Sequence, residues 1–328
     1  METVNDNRAN DSKNTDISTI NNVKNTNNFE DFIIKLKEPI CKIKVNEGIT
    51  CSTLLKDRRF AIGSNLHSII IFNKKTFKPD LIIKEHKRSV YCLTQLSSGI
   101  LASCSLDQTI KLFDITENKY KVIQNLNYHK SEVCQIIELN NKNLVSCSYD
   151  STILFYSKEN NEYIINFKIS TNGSCSNLVE TKENEICYSE GNIDKSICFF
   201  DFLEKKNLTK INNIADTLLY SSKMITKSLL LIGGFEILFI INVNTHNLIN
   251  KIDVSNSEYI TNICILNKNI LLTSDSNSKI KQWKIEGDNL TLISKKGKLH
   301  EKKWINTLLN LGDGHFISGG GDGVINYW

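Results

Sequence analysis

The chain has 328 residues, a formal net charge of +4, and 40% hydrophobic and 8% aromatic residues. So small a charge excludes a chain that is basic throughout for nucleic-acid binding. The strongest apolar run, LLLIGGFEILFIINV, is broken by two glycines and a glutamate, short of the about 20 apolar residues of a membrane-spanning helix.

Ten cysteines show no C-x-x-C spacing, which argues against a zinc or redox centre. Most stand inside apolar stretches, so they are expected as reduced, buried thiols. The opening METVNDNRAN has no apolar segment of a secretion signal. The expected location is cytoplasmic or nuclear.

Residues 1–29 are mostly Asn, Asp, Thr, Ser and Lys, with no aromatic before Phe29. Such a stretch has too little apolar surface to offset its ordering entropy, and a disordered tail is expected, with the folded unit over 30–328. FEDFIIKLK, residues 29–37, fits a short helix or an extra strand, and PICKIKVNE after it reads as a strand.

From there six segments repeat one pattern, an apolar strand, a short polar turn and a second β-rich strand that closes on an aromatic. They are FAIGSNLHSIIIF, LASCSLDQTIKLF, LVSCSYDSTILFY, ICYSEGNIDKSICFF, LLTSDSNSKIKQW and FISGGGDGVINYW, closing at Phe72, Phe113, Tyr156, Phe200, Trp283 and Trp328. A weaker copy, LLLIGGFEILFII, places Ile241 near the closing position. The steps between closing residues are 41, 43, 44, 41, 42 and 45. A repeat of this length means stacked supersecondary units, none able to bury its apolar face alone. Ile110, Ile153, Ile197, Ile280 and Ile325 all stand three residues before the closing position and mark one buried face. The turns SLDQ, SYDS, NIDK and GGDG supply the Asp and Gly that tight hairpins require.

These residues resemble the WD-repeat β-propeller family over about 280 residues. The resemblance implies an all-β fold, a seven-bladed β-propeller of four-stranded antiparallel blades. It also implies, in each blade, a hydrogen-bonded set of an interblade His, a Ser or Thr, a turn Asp and a closing Trp. Blade two offers His86, Ser103, Asp107 and Phe113; blade three offers His129, Ser146, Asp150 and Tyr156. Blade seven matches fully with His300, Ser318, Asp322 and Trp328. Leu66 and Asn277 stand at the turn position of blades one and six. Since Phe lacks a donor, blade seven is expected to complete the set alone, leaving the middle blades to apolar packing. The last repeat ends at a third strand, so PICKIKVNE is expected to supply the fourth strand of blade seven and close the ring.

SGGGDG, 318–323, has the glycine density of a phosphate loop but lacks the G-K-[ST] ending and is followed by a strand, so it reads as a hairpin turn. No G-x-S-x-G elbow and no H-E-x-x-H is present. No catalysis, cofactor or metal is therefore expected. KKGKLHEKKW, 295–304, brings five lysines beside Trp304 into the last blade. The resemblance implies that it shares one face with KEHKRS and NYHKSE of blades two and three, where Lys84, Lys87, Arg88, Lys130, Lys302 and Lys303 would ring a cationic rim suited to acidic or phosphorylated segments, or less favourably to nucleic acid.

The resemblance implies a protein-interaction platform. Contacts would centre on the residue before the turn Asp and on the loop entering each blade, here Leu106, Tyr149, Arg88, Lys130, Lys302, Lys303 and Trp304. Tyr149 and Trp304 are the expected anchors, and Trp304 alternatively fills the buried slot of Val90 and Val133. The rival is a nucleic-acid or phosphoinositide binder that uses the lysine rim.

Overall fold

The computed structural model describes residues 36, 38–116, 118–191, 195–212, 214, 219–254, 258–301 and 303–328. The expectations placed on residues 1–29, on nearly all of 29–37 and on Lys302 lie outside the described residues.

Among the described residues the chain forms twenty-eight strands and no helix. The strands make seven four-stranded antiparallel sheets, the blades of a closed ring. Blade one runs outward from Ile49–Leu54 through Phe60–Ser64 and Ile69–Phe72 to Pro79–Ile83. The inner strands of the next six blades are Val90–Gln95, Val133–Glu138, Cys175–Lys182, Ser221–Met224, Ile260–Asn267 and Ile305–Gly312. The inner strand of blade one touches those of both blade two and blade seven. The weak repeat is a complete blade five, with Leu229–Gly233 and Ile237–Asn242 as its middle strands.

Burial follows position in the blade. Second strands such as Leu101–Ser105 and Leu144–Ser148 are buried throughout, because a neighbouring blade covers each face. Outer strands such as Asn247–Asp253 alternate between exposed and half-buried positions, with one face in solvent. The core therefore lies between blades. One cluster joins Cys104 and Leu112 of blade two to Val133, Ile136 and Leu154 of blade three.

Blade seven is completed by the strand Cys41–Lys44, which pairs Cys41 with Tyr327, Ile43 with Ile325 and Lys44 with Val324. Just before it, Leu36 packs with Leu272, Leu299 and Trp328. Glu38 pairs with Lys296 of blade six at 2.6 Å, tying the entering segment to two blades.

A register shift recurs near the start of the inner strands of blades one, two, three, six and seven, at Thr50, Tyr91, Cys134, Thr261 and Asn306. Such a bulge re-aims one side chain. Here it sends Asn306 Nδ2 to Ile49 O at 2.7 Å, Thr50 Oγ1 to Val90 O, and Thr261 Oγ1 to Ile305 O, each bond crossing to the next blade.

Candidate functional site

The sets of blades two, three and seven anchor the loops that enter those blades. His86 Nδ1 meets Asp107 Oδ2 at 2.9 Å and its Nε2 meets Ser103 Oγ at 2.6 Å. His129 repeats this with Asp150 at 2.9 Å and Ser146 at 2.7 Å, and His300 with Asp322 and Ser318, both at 3.0 Å. The Nδ1–H donates to the carboxylate, so Nε2 accepts from the serine hydroxyl. Burial lowers the His129 pKa against the pull of Asp150, so the ring stays neutral at pH 7. Burial raises the Asp107 and Asp150 carboxyls, but bonds from His86, from Thr109 and Thr152, and from the Lys87 and Lys130 amides outweigh it and hold both below the usual range.

Blade seven closes its set with Trp328 Nε1 donating to Ser318 Oγ at 3.2 Å. The expectation that it alone completes the set is corrected by blade three. There the Tyr156 hydroxyl reaches Ser146 Oγ at 3.0 Å and supplies the bond that indole makes elsewhere. Blade six retains the indole bond, Trp283 Nε1 to Thr273 Oγ1 at 2.9 Å. It adds a buried carboxyl pair, Glu258 and Asp275, flanked by Lys279, Asn277 and Lys281.

These anchored loops join the second-to-third-strand turns by a repeated backbone bond. Asn65 N reaches Gly48 O at 2.9 Å, Leu106 N reaches Ser89 O and Tyr149 N reaches Glu132 O at 3.0 Å, Ser276 N reaches Tyr259 O at 2.9 Å, and Gly321 N reaches Trp304 O at 3.1 Å. In these five blades the residue before the inner strand and the residue before the turn position thus share one rim. Leu106 and Tyr149 are half-buried there, and Arg88, Lys130, Lys303 and Trp304 are exposed.

Ile305, not Trp304, fills the slot of Val90 and Val133; all three are fully buried, whereas Trp304 is 42% exposed. Its ring lies 6.0 Å from Tyr220, which enters blade five, and 5.8 Å from Tyr259, which enters blade six. Tyr220 and Tyr259 lie 5.2 Å apart, and Phe235 lies 4.8 Å from Tyr259. Rings from blades five and seven meet across blade six only where the blades converge, at the mouth of the ring. On blades two and three, desolvation raises the pKa values of Tyr91 and Tyr149, each also perturbed by the other, so both stay neutral.

The sequence reading reached Tyr149 and Trp304 but missed Tyr91, Tyr220, Phe235 and Tyr259. A signal was present: Tyr220, Tyr259 and Trp304 each stand one residue before an inner strand.

The rim is less cationic than the lysine count suggests. Lys296 is held by Glu38, and Arg88 Nη1 already contacts Leu106 O at 3.3 Å and Glu132 Oε1 at 3.5 Å. All ten cysteines are free thiols, and burial pushes those of Cys104, Cys147 and Cys187 up. Among the described residues no group of three His, Cys, Asp or Glu is placed to hold a metal ion, and no helix is long and apolar enough to cross a membrane.

Seven four-stranded blades in a ring, with loops held by His–Asp–Ser sets, define a β-propeller with a loop-lined mouth. Residues 77–114 and 120–157, which take in most of blades two and three, match the family model of the WD domain, G-beta repeat, within a ring of seven propeller blades. Propellers of this family are generally non-enzymatic scaffolds that bind other proteins. No curated protein matches the chain.

Proposed function

We propose that the chain is a non-enzymatic protein-interaction scaffold whose working face is the mouth lined by Tyr91, Tyr149, Tyr220, Tyr259 and Trp304. The observation that carries this reading is the meeting of aromatic side chains from non-adjacent blades at that mouth, with Trp304 and Tyr91 left 42% and 40% exposed. Large amphipathic rings on a rigid frame contribute contact area at low ordering cost. The ten free thiols suit a reducing compartment, and we assign the protein to the cytoplasm or nucleus on that ground.

The test is affinity capture from lysate by the whole chain, compared with two charge-reversed forms. Arg88→Glu, Lys130→Glu and Lys303→Glu together alter the mouth. Arg58→Glu, Lys142→Glu and Lys268→Glu alter exposed turns between first and second strands, at the opposite end of the blades. The first set is expected to abolish capture and the second to leave it intact. Equal loss from both would refute the assignment of the mouth. Capture of nucleic acid that disappears as salt rises would instead favour the lysine-rim reading.

A further inference from the structure

Resting on the mouth as the working face, we infer that its partner is an extended peptide segment in which one aromatic residue is flanked by aspartates or glutamates. Two observations fix this chemistry. The first is an asymmetry round the mouth. Tyr220, Tyr259 and Trp304 stand before the inner strands of blades five to seven, whereas Gly48, Ser89, Glu132 and Ser174 stand at the matching places of blades one to four. The edge-on contacts of Tyr220 with Tyr259 and Trp304, at 77° and 87°, pack the three rings into one platform and leave Trp304 open on one side. An aromatic side chain stacks on such a platform, and offset or edge-to-face pairs add about 0.5–1.5 kcal/mol beyond burial.

The second observation is charge. Lys87, Arg88 and Lys130 on blades two and three and Lys303 on blade seven are all exposed, Lys303 next to Trp304 of the platform and the other three on blades across the mouth from it. A peptide seated on the aromatic side therefore lays its flanks across cations. Carboxylates fit this rim better than phosphate. Bidentate phosphate recognition draws on an arginine fork, and Nη1 of Arg88, the rim's one arginine among the loops entering blades two, three and seven, already contacts Leu106 O and Glu132. Lysines are single point charges that satisfy carboxylates spread along a chain.

The experiment uses the whole chain and fluorescein-labelled twelve-residue peptides at physiological salt, read by anisotropy. The probes are a central Trp flanked by glutamates, the same peptide with lysines, the same with Trp replaced by Ala, a phosphoserine version, and a single-stranded RNA of equal length. The glutamate–Trp peptide is expected to bind, with at least about tenfold loss on removing its Trp or on Trp304→Ala in the protein, the scale of an interface hot spot. Lys130→Glu with Lys303→Glu is expected to weaken it by a similar factor, and Arg58→Glu to leave it unchanged. Thermal melts confirm that each variant is folded; Tyr259→Phe, which keeps the ring, serves as a second probe and is expected to retain binding. Binding to the lysine, phosphoserine or RNA probe in preference would overturn the inference. So would binding that survives Trp304→Ala. If proteins are captured through the mouth but the glutamate–Trp peptide does not bind, the peptide chemistry is wrong and the working face stands.

Discussion

The Tyr156 hydroxyl lies 3.0 Å from Ser146 Oγ, whereas Phe113, in the same place of blade two, has no group to offer Ser103. Ser146 donates to His129 and accepts from Tyr156, so all its partners are protein groups buried between blades. Tyr156→Phe keeps the ring and removes that donor. It is expected to cost about 1 kcal/mol, the net value of a typical hydrogen bond, read as a lower urea midpoint with unchanged slope. An unchanged midpoint would show that the bond contributes nothing.

Asp322→Ala takes away the acceptor of His300 Nδ1, an imidazole with no solvent exposure. The expected loss is about 1–3 kcal/mol. Gly320→Ala reaches the same set by another route, because a Cβ there would stand 2.7 Å from His300 Nδ1. Overpacking of this kind costs about 1–3 kcal/mol. Melting temperatures for the two single variants and the double check the shared cause: a double variant no worse than either alone is the expected result, and full additivity would separate them.

Blade six offers a pH test. Burial first, then the hydrogen bond with Glu258, push Asp275 up to about 7. An unfolded Asp titrates near about 3.9, so the folded state holds the proton more tightly. That contribution is complete below about pH 4 and is lost as pH rises through about 7. Lys279 and Lys281 face the pair and reduce the loss without removing it. Denaturant midpoints of the wild type are expected to fall between pH 6 and 8, and those of Asp275→Asn to stay level. His129 has the opposite sign and acts below about pH 6.5, overlapping only the lower edge of this window.

Ile43 has no exposure and pairs with Ile325 across the seam that closes the ring. Ile43→Ala is expected to cost about 2–5 kcal/mol, against a negligible change for exposed Lys42→Ala, measured by thermal melt. Equal melting temperatures would show that the closing strand bears little of the ring's stability.

Much of the architecture was legible because a blade needs the same buried Ile, turn Asp and closing aromatic every time. Blade five was faint because Phe235 and Glu236 replace the usual turn and Ile241 replaces the aromatic, yet its apolar strands still pair. The closing strand was legible by subtraction, since six complete blades leave the seventh short of one strand. The mouth was not. Tyr220, Tyr259 and Trp304 are about forty residues apart and become neighbours only when the blades curl together. The carboxyl pair of Glu258 and Asp275 was hidden for the same reason, each residue looking like ordinary polar punctuation until the other is beside it.

Cys41–Lys44 pairs with Val324–Tyr327, so during synthesis a strand made early must wait for a partner roughly 280 residues later. At about 5–20 residues per second that wait is roughly 15–60 s. A lone strand edge is an invitation to pair with other chains, and interleaved lysines are a known guard. Lys42 and Lys44, both exposed, alternate with buried Cys41 and Ile43 in this strand. The residues that seal the finished ring thus also keep the waiting strand in water, out of reach of neighbours still emerging from the ribosome.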